Sequence, residues 1–295
     1  MRKYFIIIPI LILVYFLSDK DNSSIKTENK RIETDNLIVN MSNYGLENIL
    51  LSEYLNGVIA CEMPALFHDE AIKAGIVAAR TFYLYKYESD NDYKPSNGDQ
   101  CFFSESKRKE NWRDNYELYN EKILNNINLT KNEVITYNGS VIKAFYFSMS
   151  NGYTEDAVNV FKKSEPYLVS VISDYDKDVK NNLSSKSISV NEFKEKLNVD
   201  NDIVINNIVR DSSNRVSEIV INNVNYDGVY FRKLFDLRST DFEIEFNDQE
   251  VIITTRGYGH GVGMSQWGAN EMAKMGYEYK DILKYYYKDV EIMYK

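Results

Sequence analysis

The chain has 295 residues and is 44% hydrophobic, which is enough to bury one large core or two unequal cores. Its formal net charge of −9 argues against a nucleic-acid partner, because neutralising phosphates requires clustered lysine and arginine. We therefore predict a folded, acidic protein that binds neither DNA nor RNA.

The N-terminus carries a short apolar segment with positive charge before it. Arg2 and Lys3 precede an apolar run from Tyr4 to Leu17, a pattern typical of a signal peptide or a membrane anchor. No small-x-small cleavage site follows, since residues 18–24 are charged and polar. We expect an uncleaved signal-anchor over residues 1–18, short for a membrane span. A polar tether over 19–36 then leaves the folded part outside the cytoplasm.

Two helices are expected between residues 50 and 87. Helical spacing of apolar residues begins at Leu51, and Pro64 disfavours the helical conformation at Met63, so the first helix should end near Cys61 or Glu62. A carboxylate at a helix C-terminus lies against the helix dipole, which favours its protonated form. Glu62 is therefore a candidate general acid.

The second helix should begin with Asp69 as its cap and bury one apolar face. Lys73 and Arg80 lie seven residues apart and share another face of this helix. Polar residues over 90–112 predict a long loop, and a further helix is expected from about 112 to 126.

Residues 134–149 predict a β-hairpin that turns at Asn138-Gly139. The two-residue period of its second strand places four side chains on one face: Ala144, Tyr146, Ser148 and Ser150. From about residue 184 a polar linker, two short helices and four strands indicate an inserted subdomain that ends at 256. The predicted fold class is α+β. Mixed helices and antiparallel sheets form a core over 37–183 and 257–295, and 184–256 form a smaller, β-rich insertion.

A glycine-rich loop opens the last part of the chain. It runs Gly-Tyr-Gly-His-Gly-Val-Gly-Met-Ser-Gln-Trp-Gly from Gly257 and leads into a helix, with His260, Ser265 and Gln266 as its polar side chains. Alternating glycines permit positive φ angles and close approach of the backbone. The pattern matches neither phosphate-binding fingerprint, so the loop is either part of a site or a tight helix entry around a packed histidine.

Two cysteines and two histidines could form one Cys2His2 set: Cys61, Cys101, His68 and His260. Their spacing is wrong for a local zinc module, because structural zinc ligands normally come in pairs two to five residues apart. We expect two free thiols and no metal site. A Cys61–Cys101 disulfide is the alternative in an exported protein. A Cys61–His260 nucleophile pair is a weaker hypothesis.

Taken together, these segments resemble the stage II sporulation protein D family, peptidoglycan-cleaving lytic transglycosylases that act in engulfment during endospore formation. The resemblance covers roughly residues 45–292 and rests on anchors in family order: Glu62-Met-Pro, Ala71-Ile-Lys-Ala, Val77-Ala-Ala-Arg-Thr, Phe147-Ser-Met-Ser-Asn-Gly-Tyr, Leu237-Arg-Ser-Thr and 257–269. Many family members look richer in His and Cys where this chain keeps only Cys101, which puts any family metal site in doubt here.

The resemblance implies that Glu62 alone serves first as acid and then as base, forming a 1,6-anhydro sugar without a cofactor. It implies that Lys73 contacts the substrate or the transition state, and that Arg80 contacts the substrate or forms a structural salt bridge. Further side chains are implied to line the sugar cleft: Ser148, Ser150, Tyr153, His260, Ser265 and Gln266, although the hydroxyls of the first three could instead cap a turn. We expect Glu62 and His260 to meet across one groove whose other wall carries Ser148 and Ser150.

The implied substrate is peptidoglycan glycan already stripped of stem peptides. An amidase of the stage II sporulation protein P type and a membrane scaffold of the stage II sporulation protein M type are the implied partners, at the mother-cell membrane. The alternative is a non-catalytic wall-binding module that enhances a partner amidase, since some relatives look like such modulators. A serine or cysteine hydrolase is weaker, because the chain lacks a G-x-S-x-G elbow.

Overall fold

Residues 33–247 and 249–295 are described by a computed structural model. Its helices are α1 (Leu51–Glu62), α2 (Asp69–Ser89), α3 (Glu105–Trp112), α4 (Tyr116–Leu129), α5 (Ala157–Phe161), α6 (Val190–Leu197), α7 (Gly228–Leu234), α8 (Gln266–Lys274) and α9 (Tyr279–Tyr286). Its strands are β1 (Ile38–Val39), β2 (Ile49–Leu50), β3 (Glu133–Tyr137), β4 (Ser140–Val141), β5 (Tyr146–Phe147), β6 (Gly152–Tyr153), β7 (Ile172–Ser173), β8 (Leu183–Ser189), β9 (Ile205–Arg210), β10 (Val216–Ile221), β11 (Val224–Asp227), β12 (Phe242–Phe246), β13 (Glu250–Arg256), β14 (Met264–Ser265) and β15 (Glu291–Tyr294). Helices and sheets are both extensive, so the predicted α+β class is confirmed.

Helix α2 lies at the centre of the larger core. Nearly every side chain from Ala71 to Leu84 is buried, because α2 packs against α1, α4, α8, α9 and β3. Helix α1 ends at Glu62 as predicted, and Met63 is extended at φ −128° and ψ 137°, as the following proline requires. The predicted cap of α2 is wrong by one residue, because His68 Nδ1 accepts a hydrogen bond from the Glu70 N–H at 3.2 Å and Asp69 is the first residue of the helix. The central helix thus fixes the position of the C-terminal end of α1.

The strands pair antiparallel with one exception among the described residues. The sheet orders are β12-β13-β8, β11-β10-β9 and β15-β3-β4, and two short antiparallel pairs join β1 to β2 and β6 to β7. Asn138 and Gly139 have φ of 49° and 77°, so β3 and β4 form a hairpin with a type I′ turn at the predicted place. Its second strand ends at Val141 instead of continuing to residue 149. The exception is the parallel pair of β5 with β14, which brings the Ser148 segment beside the end of the glycine loop.

Two hydrophobic clusters divide the interior. The larger joins buried residues between Val39 and Leu168 with residues between Val262 and Val290. The smaller lies between Ile188 and Ile253. Residues 33–295 group as one compact unit, and the division into a core with an insertion over 184–256 stays a prediction.

Three segments differ from expectation. The polar loop over 90–112 contains helix α3, which begins because the Ser104 hydroxyl accepts a hydrogen bond from the Lys107 N–H. The polar linker expected at residue 184 is strand β8, which pairs along its whole length with β13. Exposed polar residues there belong to the solvent face of an edge strand.

The tether is also shorter than expected, because Asp35 is buried. Arg80 Nε donates to Asp35 Oδ1 at 2.5 Å and Arg80 Nη2 to Oδ2 at 3.0 Å, while Nη1 donates to the Glu133 carbonyl at 3.2 Å. Residues 33–36 therefore belong to the folded unit. Arg80 is fully buried, so it forms the structural salt bridge and offers no exposed atom to a substrate.

The predicted signal-anchor over 1–18 and the tether over 19–32 lie outside the described residues. Within residues 33–247 and 249–295, no helix is both long enough and apolar enough to span a membrane.

Candidate active site

Glu62 is the last residue of α1, and both of its carboxylate oxygens accept hydrogen bonds. The Cys101 N–H donates to Oε1 at 2.7 Å, and Gln266 Nε2 donates to Oε2 at 3.4 Å. Burial raises the pKa of Glu62, while these two hydrogen bonds oppose the rise. The carboxyl group is thus held in place and inclined to be protonated, as a general acid must be.

A disulfide joins Cys61 to Cys101, with Cα atoms 5.6 Å apart. The expectation of two free thiols is therefore wrong, and within the described residues no cluster of His, Cys, Asp and Glu could hold a metal ion. At Gly57, one turn earlier on α1, a Cβ atom would lie 2.2 Å from the Phe102 ring. This close approach lets the loop lie along α1, where Phe103 N–H donates to the Gly57 carbonyl at 3.0 Å. Helix and disulfide together place the Cys101 N–H on Glu62.

Tyr146 forms the opposite side of a narrow gap beside Glu62. Residues from four segments line this gap of about 170 Å³: Ile59, Glu62, Met63, Gly75, Tyr146, Met264 and Gln266. The Tyr146 hydroxyl accepts a hydrogen bond from the buried Gln100 Nε2 at 3.0 Å. Ser148 follows the end of β5 and is half-buried, and its contact with a substrate stays a prediction. The structure thus groups Glu62, Gln266 and Tyr146.

The glycine loop runs tightly along β5. Gly257 and Gly263 have φ of 78° and 79°, and a Cβ atom at Gly263 would lie 2.0 Å from the Phe145 carbonyl oxygen. Both a left-handed conformation and contact with another backbone therefore require glycine here. The loop leads into β14, which pairs with β5. Gln266 directly follows β14 and therefore lies beside Glu62.

His260 lies on the other face of β5. Its ring centroid is 5.5 Å from Phe145, 6.0 Å from Phe147 and 5.5 Å from Phe161. Because successive side chains of a strand point to opposite faces, Phe147 and Tyr146 diverge, and so do His260 and Glu62. The structure does not bring His260 to a groove shared with Glu62.

The His260 imidazole is neutral near pH 7. Burial, with repulsion from Arg232 and Arg215, lowers its pKa to about 3. Nδ1 accepts a hydrogen bond from the Val262 N–H at 3.0 Å, so Nε2 carries the proton. These contacts match the second interpretation of the glycine-rich loop, a tight helix entry around a packed histidine.

Ser265 and Ser150 are both fully buried and bind one carboxylate. Ser265 Oγ donates to Asp176 Oδ2 at 2.7 Å and accepts from the Gly268 N–H at 3.2 Å, which caps α8. The Ser150 N–H also donates to Asp176 Oδ2 at 2.7 Å, and its Oγ accepts from the Gly152 N–H at 3.0 Å. These two hydroxyls therefore cap a helix and a turn instead of lining a groove.

Two predicted residues remain accessible, and neither forms a hydrogen bond or salt bridge with Glu62 within residues 33–247 and 249–295. Lys73 Nζ pairs with Glu70 Oε1 at 2.6 Å and lies 5.7 Å from the centre of the Tyr279 ring. Tyr153 is 42% exposed on β6. Their contact with a substrate stays a prediction.

Comparison with known proteins decides the family. A family model described as "Stage II sporulation protein" matches residues 42–137. Stage II sporulation protein D of Bacillus amyloliquefaciens is 40% identical over 262 residues, covering 85% of this chain and 76% of that protein. Stage II sporulation protein D of Bacillus subtilis (strain 168) is 35% identical over 314 residues, covering 97% of this chain and 92% of that protein. This chain belongs to the stage II sporulation protein D family. A protein named "Amidase enhancer" from Bacillus subtilis (strain 168) is 29% identical over 290 residues, covering 79% of this chain and 39% of that protein.

For this member of the stage II sporulation protein D family, sequence reasoning missed two groups beside Glu62, the Cys101 N–H and the Tyr146 ring. It also missed the buried Asp176 carboxylate, which binds Ser150 and Ser265. The Cys101 N–H is a backbone group and has no sequence signal. Tyr146 had one, because it shares the predicted face of Ser148, whereas nothing in the sequence around Asp176 marks it as buried.

Replacing Asp176 with Asn should change how stability depends on pH. Burial raises the pKa of Asp176 to about 6 from an ordinary 3.8, although Ser150 and Ser265 donate to it. The folded state therefore holds the proton more tightly than the unfolded state, so this group's contribution to stability declines as pH rises from about 4 to 6. The decline should amount to about 3 kcal/mol and should be absent in Asp176→Asn.

Urea denaturation between pH 4 and 8 measures this difference. The exposed neighbour Asp174 provides the control variant Asp174→Asn, which should follow the wild-type profile. Parallel stability curves for wild type and Asp176→Asn would show that the folded state does not perturb this carboxyl.

Proposed function

We propose that this chain is a lytic transglycosylase that cleaves the bond between N-acetylmuramic acid and N-acetylglucosamine in peptide-stripped peptidoglycan, during engulfment in sporulation. The observation that carries the proposal is the half-buried Glu62 carboxyl at the C-terminal end of α1, with a raised pKa and fixed by Cys101 and Gln266. The family name places its relatives in sporulation.

One carboxyl group can perform both proton transfers. Protonated Glu62 donates its proton to the glycosidic oxygen, and the bond from that oxygen to muramic C1 breaks. The resulting carboxylate then accepts the proton of the muramic 6-hydroxyl as that oxygen forms a new bond to C1. Glu62 is protonated again, and the product is a 1,6-anhydro end with no water consumed.

The surroundings of Glu62 favour this route over hydrolysis. Retaining glycosidases place a second carboxyl group about 5–5.5 Å from the acid, and inverting enzymes about 6.5–9.5 Å. Among the described residues that line the gap, Glu62 is the one carboxylate. A mechanism that reuses a single acid fits that set of side chains.

The test is the chemistry of the ends produced. Full-length protein in detergent is incubated with peptide-free glycan strands, and the products are analysed by mass spectrometry. Ends that are 1,6-anhydro support the proposal, whereas reducing ends would indicate a hydrolase. Intact strands would overturn it and favour the second candidate, a wall-binding module that enhances an amidase, which the relative named "Amidase enhancer" suggests.

We further propose that residues 1–18 anchor the chain in the mother-cell membrane, with the folded part outside the cytoplasm. Arg2 and Lys3 before the apolar run support this orientation. The proposed partners are an amidase of the stage II sporulation protein P type, which removes stem peptides, and a scaffold of the stage II sporulation protein M type. The chain should sediment with membranes at its full mass, and a mature secreted form beginning after Leu17 would contradict the anchor.

A further inference from the structure

Trp267 directly follows Gln266, the residue that binds Glu62. Its own N–H donates to the Ser148 carbonyl at 3.1 Å, so its backbone is fixed against the segment that carries Tyr146 and Ser148. The side chain is half-buried, although α8 buries its neighbours Gln266 and Gly268. The indole thus packs against the larger core on one side and is partly open to solvent, one residue from the contact with Glu62.

The loop that leaves Glu62 packs against the same side of α8. Phe67 lies five residues after Glu62, and its ring meets Trp267 edge to face, with centroids 4.8 Å apart and planes at 76°. The His68 N–H donates to Asn270 Oδ1 at 2.8 Å, one helical turn beyond Trp267. Lys122 Nζ donates to the Phe67 carbonyl at 2.6 Å and holds the loop from its other side. The indole is thus held rigidly between two segments that both touch the acid.

Part of the indole is open to solvent, because Trp267 is only half-buried. Its edge-to-face contact with Phe67 covers at most one of the two indole faces. Within the described residues, Phe67 is the one aromatic ring that packs on Trp267. Leu66, beside Phe67, is 78% exposed and extends the apolar edge toward solvent.

A pyranose ring presents a similar apolar surface, because its axial C–H bonds project from one side while its hydroxyl and acetamido groups lie around the rim. Such a ring packs on an aromatic face, and its rim remains available for hydrogen bonds. The gap of about 170 Å³ beside Glu62 is narrow, so a sugar next to the scissile bond must lie outside it.

Resting on the function proposed above, we propose that Trp267 is the stacking platform for a sugar ring of the N-acetylated glycan next to the bond that Glu62 protonates. Trp267 is a substrate-positioning residue in this arrangement. Its side chain binds the sugar, and its backbone ties that subsite to Ser148 and Gln266. The platform and the acid then move as one unit, because both depend on the β5–β14 pair and the loop after α1.

The chain is suited to a direct test, since it contains two tryptophans. The other, Trp112, lies at the end of α3 against Tyr116 and Tyr119. In the full chain, Trp112→Phe leaves Trp267 as the sole tryptophan, and Trp267→Phe leaves Trp112. Both changes are made together with Glu62→Gln, so that the glycan is not consumed during the titration.

Peptide-free tetrasaccharide of alternating N-acetylglucosamine and N-acetylmuramic acid is the probe. The Trp112→Phe chain should show a saturable change in tryptophan emission, whereas the Trp267→Phe chain should show none. In the active background, Trp267→Leu should raise KM about tenfold with a smaller change in kcat, and Trp267→Phe should have an intermediate effect because it keeps an aromatic face. A residue of purely structural importance would lower the unfolding midpoint without this split.

Several results would overturn the inference. One is calorimetric binding of the tetrasaccharide with no change in Trp267 emission, and another is an unchanged KM in folded Trp267→Leu. If Trp267→Leu does not fold, the emission of the native Trp267 in the Trp112→Phe chain decides the question. Anhydro ends from wild type with a silent Trp267 would reject the platform alone, whereas a responsive Trp267 without cleavage would reject the transglycosylase alone. Absence of any binding would reject both.

Discussion

Glu62→Gln should abolish glycan cleavage while folding and glycan binding persist. The exchange is nearly isosteric, and an amide still accepts the hydrogen bond from the Cys101 N–H. It removes the proton that the leaving oxygen needs, and general acid–base catalysis is typically worth about 10²–10⁴-fold in rate. Release of anhydro ends, followed by mass spectrometry, measures the loss, and thermal unfolding confirms the fold.

The pH profile gives this prediction a second readout. Catalysis needs protonated Glu62 at the start of each turnover, so kcat/KM of the wild type should fall as pH rises through the raised pKa of this group. Glu155→Gln is a matched control, because Glu155 is also a buried glutamate with a raised pKa and lies with Ser213 and Asn159, away from Glu62. Near-normal cleavage by Glu62→Gln would mean that another group is the acid.

The double variant Cys61→Ala/Cys101→Ala should lose stability and change the pH dependence of cleavage. The disulfide closes a loop of 40 residues, and removing it should lower the free energy of unfolding by about 4 kcal/mol through the entropy of the unfolded chain. It should also loosen the Cys101 N–H from Glu62. That hydrogen bond lowers the pKa of Glu62, so its loss should raise this pKa further and move the alkaline limb of kcat/KM to higher pH.

Guanidinium denaturation gives the stability change, and a pH series at a temperature well below unfolding gives the shift of the limb. Wild type treated with a thiol reductant is the matched comparison, because it has the same sequence with the bond opened. An alkaline limb that does not move, in protein that remains folded, would show that the disulfide serves stability without positioning the acid.

Local rules in the sequence located the position of Glu62, the proposed acid, but not the groups that bind it. Pro64 fixed the end of α1 at Glu62, and Asn138-Gly139 fixed the β3–β4 hairpin, because each feature depends on the conformations of two or three neighbouring residues. Family motifs in turn identified Gln266. The disulfide was missed because its cysteines are 40 residues apart in the sequence. No local sequence pattern indicates that the loop at Phe102 packs against Gly57 of α1.

Orientation across a strand was the main source of error in the site. Ser148 and Ser150 were predicted to line the same wall of the groove. The chain instead turns after Met149, and Ser150 is buried where its N–H donates a hydrogen bond to the Asp176 carboxylate. His260 and Glu62 were expected to meet because both lie in family motifs. Motifs near one strand can lie on either side of it, and only the three-dimensional packing of Phe145, Phe147 and Phe161 places His260.

If residues 1–18 anchor the chain as proposed, the buried Arg80–Asp35 pair limits how far Glu62 can lie from the lipid surface. Because Asp35 is fixed in the core, the connection between a proposed anchor ending at residue 18 and the folded body shrinks from 19–36 to 19–32. A connection of that length spans at most about 50 Å even when fully extended. Glu62 would then act only on glycan in the innermost layer next to the membrane, so cutting would follow the advancing membrane instead of spreading through the wall.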